Sequence, residues 1–475
     1  MKMSMAQFST NMAASMSRLP FDGYFLYRLT RWKRISQSAL CIPTCVYERQ
    51  FLQTSQNSQH LFTKKFSTKP SSEVKSLDIL GNTYITDLST NITPKILEMI
   101  GKNLHCKHNH PLNLISRRIE NYFNNNFRNS WRAPMFSKFD RISPVVTLTQ
   151  NFDSLLVPPH HPSRDLSESY YLNSTHMLRA HTSAHQSDLI KTGLDAFLVL
   201  GDVYRRDTVD ASHYPVFHQM EGVRLFSKQE LFSHVEDASK VTFFEEGTRN
   251  STKQERHAVE TSLSLEQDLK KTLRNLANHL FGEDVEMQWV DAYFPFTHPS
   301  WELEIKYQGE WLEVLGCGII EQELLTAAGA DSKVGWAFGL GLERLAMRLY
   351  SIPDIRLFWS EDSKFLNQFN VDEPDTKVTF KPFSKQSPCI NDVSFWVPEN
   401  FSENDFYDIV RNVGGDLVES VELFDDFVHP KTQRRSKAYH MTYCHMERSL
   451  TQSEVNDIHK NIMEEAIRQL GIQVR

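Results

Sequence analysis

The stretch that most constrains this chain is residues 198–226, LVLGDVYRRDTVDASHYPVFHQMEGVRLF. An apolar run from Leu198 to Val203 leads into Arg205, Arg206 and Asp207, and the polar stretch from Thr208 to Tyr214 has no helical period. After Pro215 the residues alternate, with Phe217, Gln219, Glu221 and Val223 on one parity and Val216, His218 and Met220 on the other. This pattern predicts strand, polar loop, strand. Side chains two apart on a strand face the same way, so Gln219 stands beside Glu221 and Arg205 beside Asp207. A face that mixes a fixed cation, carboxylates and an amide suits a ligand with both negative charge and an amine. A solvated hairpin is the plain alternative.

Charge narrows the setting. The 475 residues carry 52 Lys and Arg against 59 Asp and Glu, but residues 1–70 hold ten of the bases and only Asp22 and Glu48 as acids, leaving +8 there and −15 over the rest. An acidic body argues against a non-specific nucleic-acid coat and leaves room for a local basic groove. The Ser-, Met- and Arg-rich start, with Phe21, Tyr24, Leu26, Tyr27 and Leu29 between Leu19 and Trp32, fits a basic amphipathic transit peptide for the mitochondrion. A disordered extension is the alternative, and processing is expected near Phe66-Ser67-Thr68. No stretch approaches the ~20 apolar residues that span a bilayer. The six cysteines form no CxxC pair, which fits free thiols in a reducing compartment and offers no zinc framework.

Ile85, Leu88, Ile92, Ile96 and Ile100 recur at helical spacing, broken by Pro94. Pro111 opens an amphipathic helix, PLNLISRRIENYF, at a position where its missing N–H costs nothing. Residues 141–170 read as extended and loop-rich, and 183–194 as helical. His181, Ser183, His185 and Gln186 cluster there. A His181/His185 zinc pair has no third ligand by spacing, so a donor-rich rim for an anion or carboxylate is the preferred reading. Residues 227–282 read as helical, with Leu263, Leu265, Leu269, Leu273, Leu276 and Leu280 as a core face. In Phe294-Pro295-Phe296 the proline must end or bulge a strand. Leu303–Tyr307 and Trp311–Val314 read as an antiparallel pair, and Glu313, a carboxylate among apolar residues, must be paired or functional. Gly335–Tyr350 passes from a glycine-rich strand into a helix. Arg344 stands where a dinucleotide fingerprint needs its third glycine, and in the helix's first turn it can meet phosphate beside free backbone N–H groups. Beyond a Pro-bearing linker at 371–383, the pattern is strand, helix, two strands, helix, short strand. That is a ferredoxin-like βαββαβ unit with a basic edge of Lys431, Arg434, Arg435, Lys437 and Arg448, suited to a phosphate backbone.

Taken in order, these motifs resemble those of the single-chain mitochondrial phenylalanyl-tRNA synthetases, over residues 71–475. The helix from Pro111 is similar to class II motif 1, GDVYRRD…HYPVFHQMEG to motif 2 in its phenylalanine-specific form, FGLGLER to motif 3, and YFPF to the phenylalanine-pocket strand. The resemblance implies an α+β fold: a class II antiparallel-sheet catalytic domain with an N-terminal extension (71–370), the linker (371–383) and a ferredoxin-like βαββαβ anticodon-binding domain (384–475), after a transit or disordered segment (1–70). It implies a phenylalanine–tRNA ligase of the mitochondrial matrix, acting as a monomer on ATP, phenylalanine and tRNA(Phe), with Mg²⁺ and without contact to a membrane. A synthetase-like RNA-binding or adenylating protein that does not charge tRNA is the alternative.

By the same resemblance, Arg205 grips the α-phosphate and Arg344 the γ-phosphate end of ATP. Phe217 and Phe338 lie near the adenine, and Ser212, His213 and Tyr214 near adenosine or the tRNA acceptor end. His181, Ser183, His185, Gln186, Gln219 and Glu221 surround the amino acid, with Ala184 and Met220 beside them. Phe294 and Phe296 pack on its ring, Ala337 helps set pocket depth, and Glu313 acts near the nucleotide through magnesium.

Overall fold

The computed structural model describes residues 75–307, 309–382, 387–446 and 448–475. The expected presequence and its processing point lie outside these residues, as do the last residue of the expected linker, 383, and residues 384–386 that follow it.

A hairpin of β1 (Ser76–Ile79) and β2 (Asn82–Ile85) comes first, then helices α1 (Pro94–Met99) and α2 (Pro111–Asn126). The helical spacing from Ile85 to Ile100 is therefore realised only in part. Ile85 ends β2, Leu88 stands in water, and helix begins at Pro94 behind the Thr93 cap. Strand β3 (Ser137–Phe139) joins the main sheet, while β4 (Val145–Thr147) pairs with β5 (His176–Leu178), ahead of the short helix α3 (Gln186–Lys191).

The stretch at 198–226 is a long antiparallel hairpin of β6 (Ala196–Tyr204) and β7 (Val216–Phe226). The segment after it is less helical than its spacing predicts: α4 begins only at Val259 and runs to Phe281. Residues 241–258 are irregular and held by side chains. The Arg249 guanidinium bonds both Glu255 and Glu321, and the buried Lys253 bonds Glu245 and the His257 carbonyl. Then follow β8 (Met287–Phe294), β9 (Thr297–Tyr307), β10 (Glu310–Ile320), β11 (Val334–Gly341) and α5 (Leu342–Tyr350). Pro295 falls in the turn between β8 and β9, where no ladder bond is asked of it.

The main sheet has the order β3-β6-β7-β11-β10-β9-β8, antiparallel except for the β3–β6 pair. One face carries Leu198, Leu200, Met220, Leu315, Cys317, Trp336, Phe338 and Leu340. It packs on Leu114, Ile115, Ile119 and Phe123 of α2 and on the leucine face of α4. At ~1.5–3 kcal/mol per fully buried large apolar side chain, this layer holds the sheet flat against its helices and leaves the other face for polar groups.

The C-terminal strands β12 (Cys389–Trp396), β13 (Val418–Val428), β14 (Arg435–Tyr443) and β15 (Gln473–Val474) form a second sheet in the order β13-β14-β12-β15. Helices α6 (Glu403–Gly414) and α7 (Gln452–Leu470) complete the βαββαβ module around Phe395, Phe406, Tyr439, Val455 and Ile462. The module sits against the body through α6. Asp408 accepts from Arg206 Nε (2.8 Å) and from the Tyr170 hydroxyl (2.7 Å), and Arg206 also pairs with Asp405. Arg411 donates to the carbonyls of Asp207 and Thr208, and the Tyr214 hydroxyl donates to Asp416 (2.7 Å).

Candidate active site

The polar face of the main sheet is built in rows, because residues opposite each other in an antiparallel ladder share a face. Val199, Glu221, Gly339, Gly316 and Glu302 lie in one row across five strands. A second row holds Gly201, Gln219 and Gly341, and a third Phe197, Val223, Ala337 and Gly318. The glycines decide where a ligand fits. A methyl group built on Gly339 or Gly341 would meet nothing within 4 Å, so open room stands over them. The space over Gly316 is taken by the Phe294 ring, that over Gly201 by the Arg179 guanidinium, and that over Gly318 by Thr297. The room is thus bounded by Gln219 and Glu221 on one side and by Phe294 on the other, with the apolar row of Val223 and Ala337 next to it.

His181, Ser183, Ala184, His185 and Gln186 come to this face on a 3₁₀ turn running into α3. The Thr182 hydroxyl donates to Glu221 Oε2 at 3.3 Å, and the nearby Ser183 hydroxyl also favours the ionised carboxylate. Burial nevertheless pushes the Glu221 carboxyl up to about 7. Burial, with Arg205 nearby, takes His181 down to about 3, and burial with Arg179 does the same for His185. Both rings are therefore neutral at physiological pH. Arg179 Nη1 donates to His185 Nε2 (2.9 Å), which puts the ring hydrogen on Nδ1. Four buried polar atoms here lack a partner: Glu221 Oε1, Gln186 Nε2, His181 Nδ1 and Asn151 Nδ2. A buried polar group left unpaired costs about 1–3 kcal/mol, so a ligand that pairs these atoms on this end of the face gains from doing so. The His181 ring lies 6.3 Å from that of Phe296, which is itself 6.0 Å from Phe294.

At the other end Arg205 follows β6. Its Nε donates to the Ala180 carbonyl (2.7 Å) and its guanidinium lies over the Phe217 ring at 5.3 Å, so both terminal nitrogens are left for a ligand. Burial, and Arg344 nearby, pull its pKa below the ordinary value, while Asp207 and Glu313 oppose the shift. Arg344, in the first turn of α5, pairs with Glu313 at 3.1 Å, both side chains being about two-fifths exposed. So exposed a pair is worth ~1 kcal/mol or less and yields readily to phosphate. Burial and the neighbouring Glu313 and Glu304 raise the Glu302 carboxyl.

Some expected site residues lie elsewhere. Met220 and Phe338 are one step out of phase with Glu221 and Ala337, so they point to the helix-covered face, and Phe338 stacks on Phe123 at 5.6 Å. Phe338 is thus not beside an adenine site on the polar face. The Tyr214 hydroxyl is taken by Asp416 and its ring stacks on Trp359 at 5.6 Å. Ser212 and His213 turn back on Asp210, whose carboxylate raises His213. Conversely, the structure brings in Arg179, Asp202 and Asn151, which the sequence reading passes over. Arg179 is fully buried, bonded to Asp202 (2.7 Å), and fills the space over Gly201 at the β6 edge of the row that holds Gln219. The signal was a charge inside each of two apolar runs, THMLRA and LVLGDV. The Asn151 side chain accepts from the Ala180 N–H (2.9 Å), steadying the residue that holds Arg205. Among the described residues no group of three or more His, Cys, Asp or Glu is placed to hold a metal ion.

Comparison with known proteins gives the family of both domains. Residues 97–246 and 248–369 match the family model "tRNA synthetases class II core domain (F)", and residues 384–475 match "Ferredoxin-fold anticodon binding domain". The chain is 58% identical over 400 residues to the mitochondrial phenylalanine–tRNA ligase of Mus musculus, covering 84% of this chain and 89% of that one. It is 55% identical over 421 residues to the Rattus norvegicus counterpart, with the same coverage. With the probable mitochondrial phenylalanine–tRNA ligase of Drosophila melanogaster it shares 49% over 429 residues, 86% of this chain and 94% of that one.

Proposed function

The chain belongs to the class II tRNA synthetases as one of the mitochondrial phenylalanine–tRNA ligases, and from that premise we propose how its residues divide the reaction. The ligase joins phenylalanine to ATP as an adenylate and passes the acyl group to tRNA. The observation that carries the division of labour is the open room over Gly339 and Gly341, with orphaned polar atoms at one end and two arginines at the other.

The ammonium group pairs with Glu221 Oε1 and the Gln219 amide. The neutral His181 and His185 add hydrogen-bonding capacity without repelling that charge. Gln186 Nε2 offers a donor to the carboxylate, and the phenyl ring lies against Phe294 and Phe296 beside Ala337. A carboxylate oxygen then attacks the α-phosphorus, forming the acyl–phosphate bond as the bond to pyrophosphate breaks. No protein nucleophile is required, only alignment and neutralisation of the phosphate oxygens. Arg205 meets the α-phosphate from its anchored position over Phe217. Arg344 leaves Glu313 for the terminal phosphate, and the planar fork of each suits paired oxygens. The terminal ribose hydroxyl of tRNA next attacks the acyl carbon and AMP leaves. For this step the site presents no obvious enzyme base.

Magnesium fits the donor set. Glu313 and Glu302 are hard oxygen ligands on one face and would be the residues to hold the ion; the Glu302 carboxyl is raised first by burial and then by the neighbouring Glu313 and Glu304. Bound there, the ion supplies further neutralisation of phosphate charge. We read residues 71–370 as the adenylate-forming domain and 384–475 as the anticodon-binding domain, joined by 371–383. The protein is read as a monomer of the mitochondrial matrix, which protease protection after import and sedimentation would check.

Phenylalanine-dependent ATP–pyrophosphate exchange tests the arginines. Arg205→Ala and Arg344→Ala should each lose about 10²–10³ in rate, on the scale of a lost oxyanion donor. Unchanged exchange in either variant contradicts its role.

A further inference from the structure

Strand β11 ends at Gly341, opposite Gln219, so the next residue of β7, His218, has no strand neighbour on that side. The Glu343 side chain takes the neighbour's place. One carboxylate oxygen accepts from the His218 backbone N–H at 2.8 Å and the other from the His218 ring Nδ1–H at 2.7 Å. Both side chains are almost wholly buried, on the face of the sheet away from the substrate room. The ring is backed by His105 at 5.2 Å and by Trp359 at 6.3 Å.

The covalent neighbours give this contact its consequence. His218 lies between Phe217, which carries the Arg205 guanidinium, and Gln219 of the substrate row, and Glu343 immediately precedes Arg344. Gly341, at the start of α5, makes no side-chain cap, so the first turn of that helix has no other side-chain anchor at its N-cap. An acidic side chain in the first turn also complements the positive end of the helix. A shift of α5 along its axis would carry Arg344 with it, and a misplacement of ~1 Å can cost about a hundredfold in such a reaction.

We propose that Glu343 and His218 are a positioning pair, which sets the register of α5 against β7 and so the spacing between Arg344 and Arg205. The pair does not touch substrate and acts through Arg344. This inference rests on the reading of Arg344 as a phosphate ligand.

The test uses the full-length chain in ATP–pyrophosphate exchange, with KM determined separately for ATP and phenylalanine. Glu343→Ala should raise KM for ATP about tenfold or more and leave KM for phenylalanine within about twofold, because β6 and β11 still flank Glu221. Glu343→Gln, which keeps an oxygen for the His218 N–H, should recover most of the loss. In an Arg344→Ala background, Glu343→Ala should add no further rise in KM for ATP. If Glu343→Ala proves too unstable to purify, His218→Asn against His218→Ala gives the same comparison, since the asparagine amide keeps a donor near the place of Nδ1. Equal rises for both substrates, or full additivity of Glu343→Ala with Arg344→Ala, would overturn the proposal in favour of a merely structural role. If Arg344→Ala alone leaves exchange intact, the underlying phosphate reading fails instead, and the two failures are distinguishable.

Discussion

Glu221 has unpartnered Oε1, a hydroxyl donor from Thr182 on Oε2, and a carboxyl pushed by burial from an ordinary 4.5 to about 7. A raised carboxyl favours the protonated folded state. In the free enzyme its contribution to stability is therefore fully present below the unfolded value and is lost as pH rises from about 4.5 through about 7. Binding runs the other way, since an ammonium ion needs the ionised form. For phenylalanine, kcat/KM should fall as pH drops below about 7, approaching tenfold per unit. Glu221→Gln should flatten that limb and lower the plateau by an order of magnitude or more, since a buried charge-assisted bond is worth ~1.5–3 kcal/mol. A wild-type profile that stays level from pH 8 to pH 5.5 would count against Glu221 as the ammonium partner. The same parity that made Glu221 legible in the sequence also bears on Met220 and Phe338. Adjacent strand residues cannot share a face, so the alternation that sets Gln219 and Glu221 together sends Met220 to the core, and Ala337 and Phe338 likewise divide between the two faces.

Among the elements, long periodic ones follow their sequence closely. The helix opened by Pro111, the leucine face of α4 from Leu265 to Leu280 and the β6–β7 hairpin lie where periodicity puts them, because each buries a continuous apolar stripe against one layer, whereas Leu263, expected on the same face, points to solvent in the helix's first turns. Segments fixed by side chains do not read out in this way. The irregular stretch 241–258 depends on Lys253 meeting Glu245 and on Arg249 meeting Glu321, and the latter partner is 72 residues away. Neither pairing leaves a local period. The glycines of β10 are intermediate: their smallness is visible in WLEVLGCGII, but what fills the space they leave is not. At Gly316 an added methyl group would come within 2.7 Å of the Phe294 ring. Gly316→Ala should therefore push Phe294 toward the substrate room. The expected outcome is a rise of tenfold or more in KM for phenylalanine with KM for ATP nearly unchanged, and a fall in stability of ~1–3 kcal/mol from overpacking. Isothermal denaturation and exchange kinetics on one preparation would measure both, and an unaltered KM for phenylalanine would show that the ring is not a wall of the pocket.

At the scale of the whole molecule, the C-terminal module is docked on the loop that follows Arg205. The contacts span more than 200 residues of sequence: Arg206 with Asp408, Arg411 with the Asp207 and Thr208 carbonyls, and Tyr214 with Asp416. The sequence shows the two units and the Pro-bearing connection between them, but not this contact, because none of these side chains has a local pattern that names its partner. On the expectation that the protein works as a monomer, its active site and its anticodon-binding domain must both reach one tRNA. The connection that has to allow this is itself held on the body as far as Lys381, by Arg118 with Asp375 and by the Phe380 N–H on the Tyr350 carbonyl. The expectation is that the docked arrangement is one of two states and that tRNA binding releases its contacts. Arg206 and Asp408 are both almost fully buried. Removing one partner of such a pair typically costs ~3–5 kcal/mol, because the other charge is left unpaired. Arg206→Ala should therefore undock the module without tRNA: its small-angle scattering profile should show a larger radius of gyration than wild type, while wild type expands only when tRNA is added. Because Arg206 adjoins Arg205, adenylate formation should be measured on the same variant. A release of the module that leaves exchange within about threefold would separate docking from catalysis. Scattering profiles that coincide for wild type and Arg206→Ala, and for wild type with and without tRNA, would mean that the docked state is the one that charges tRNA.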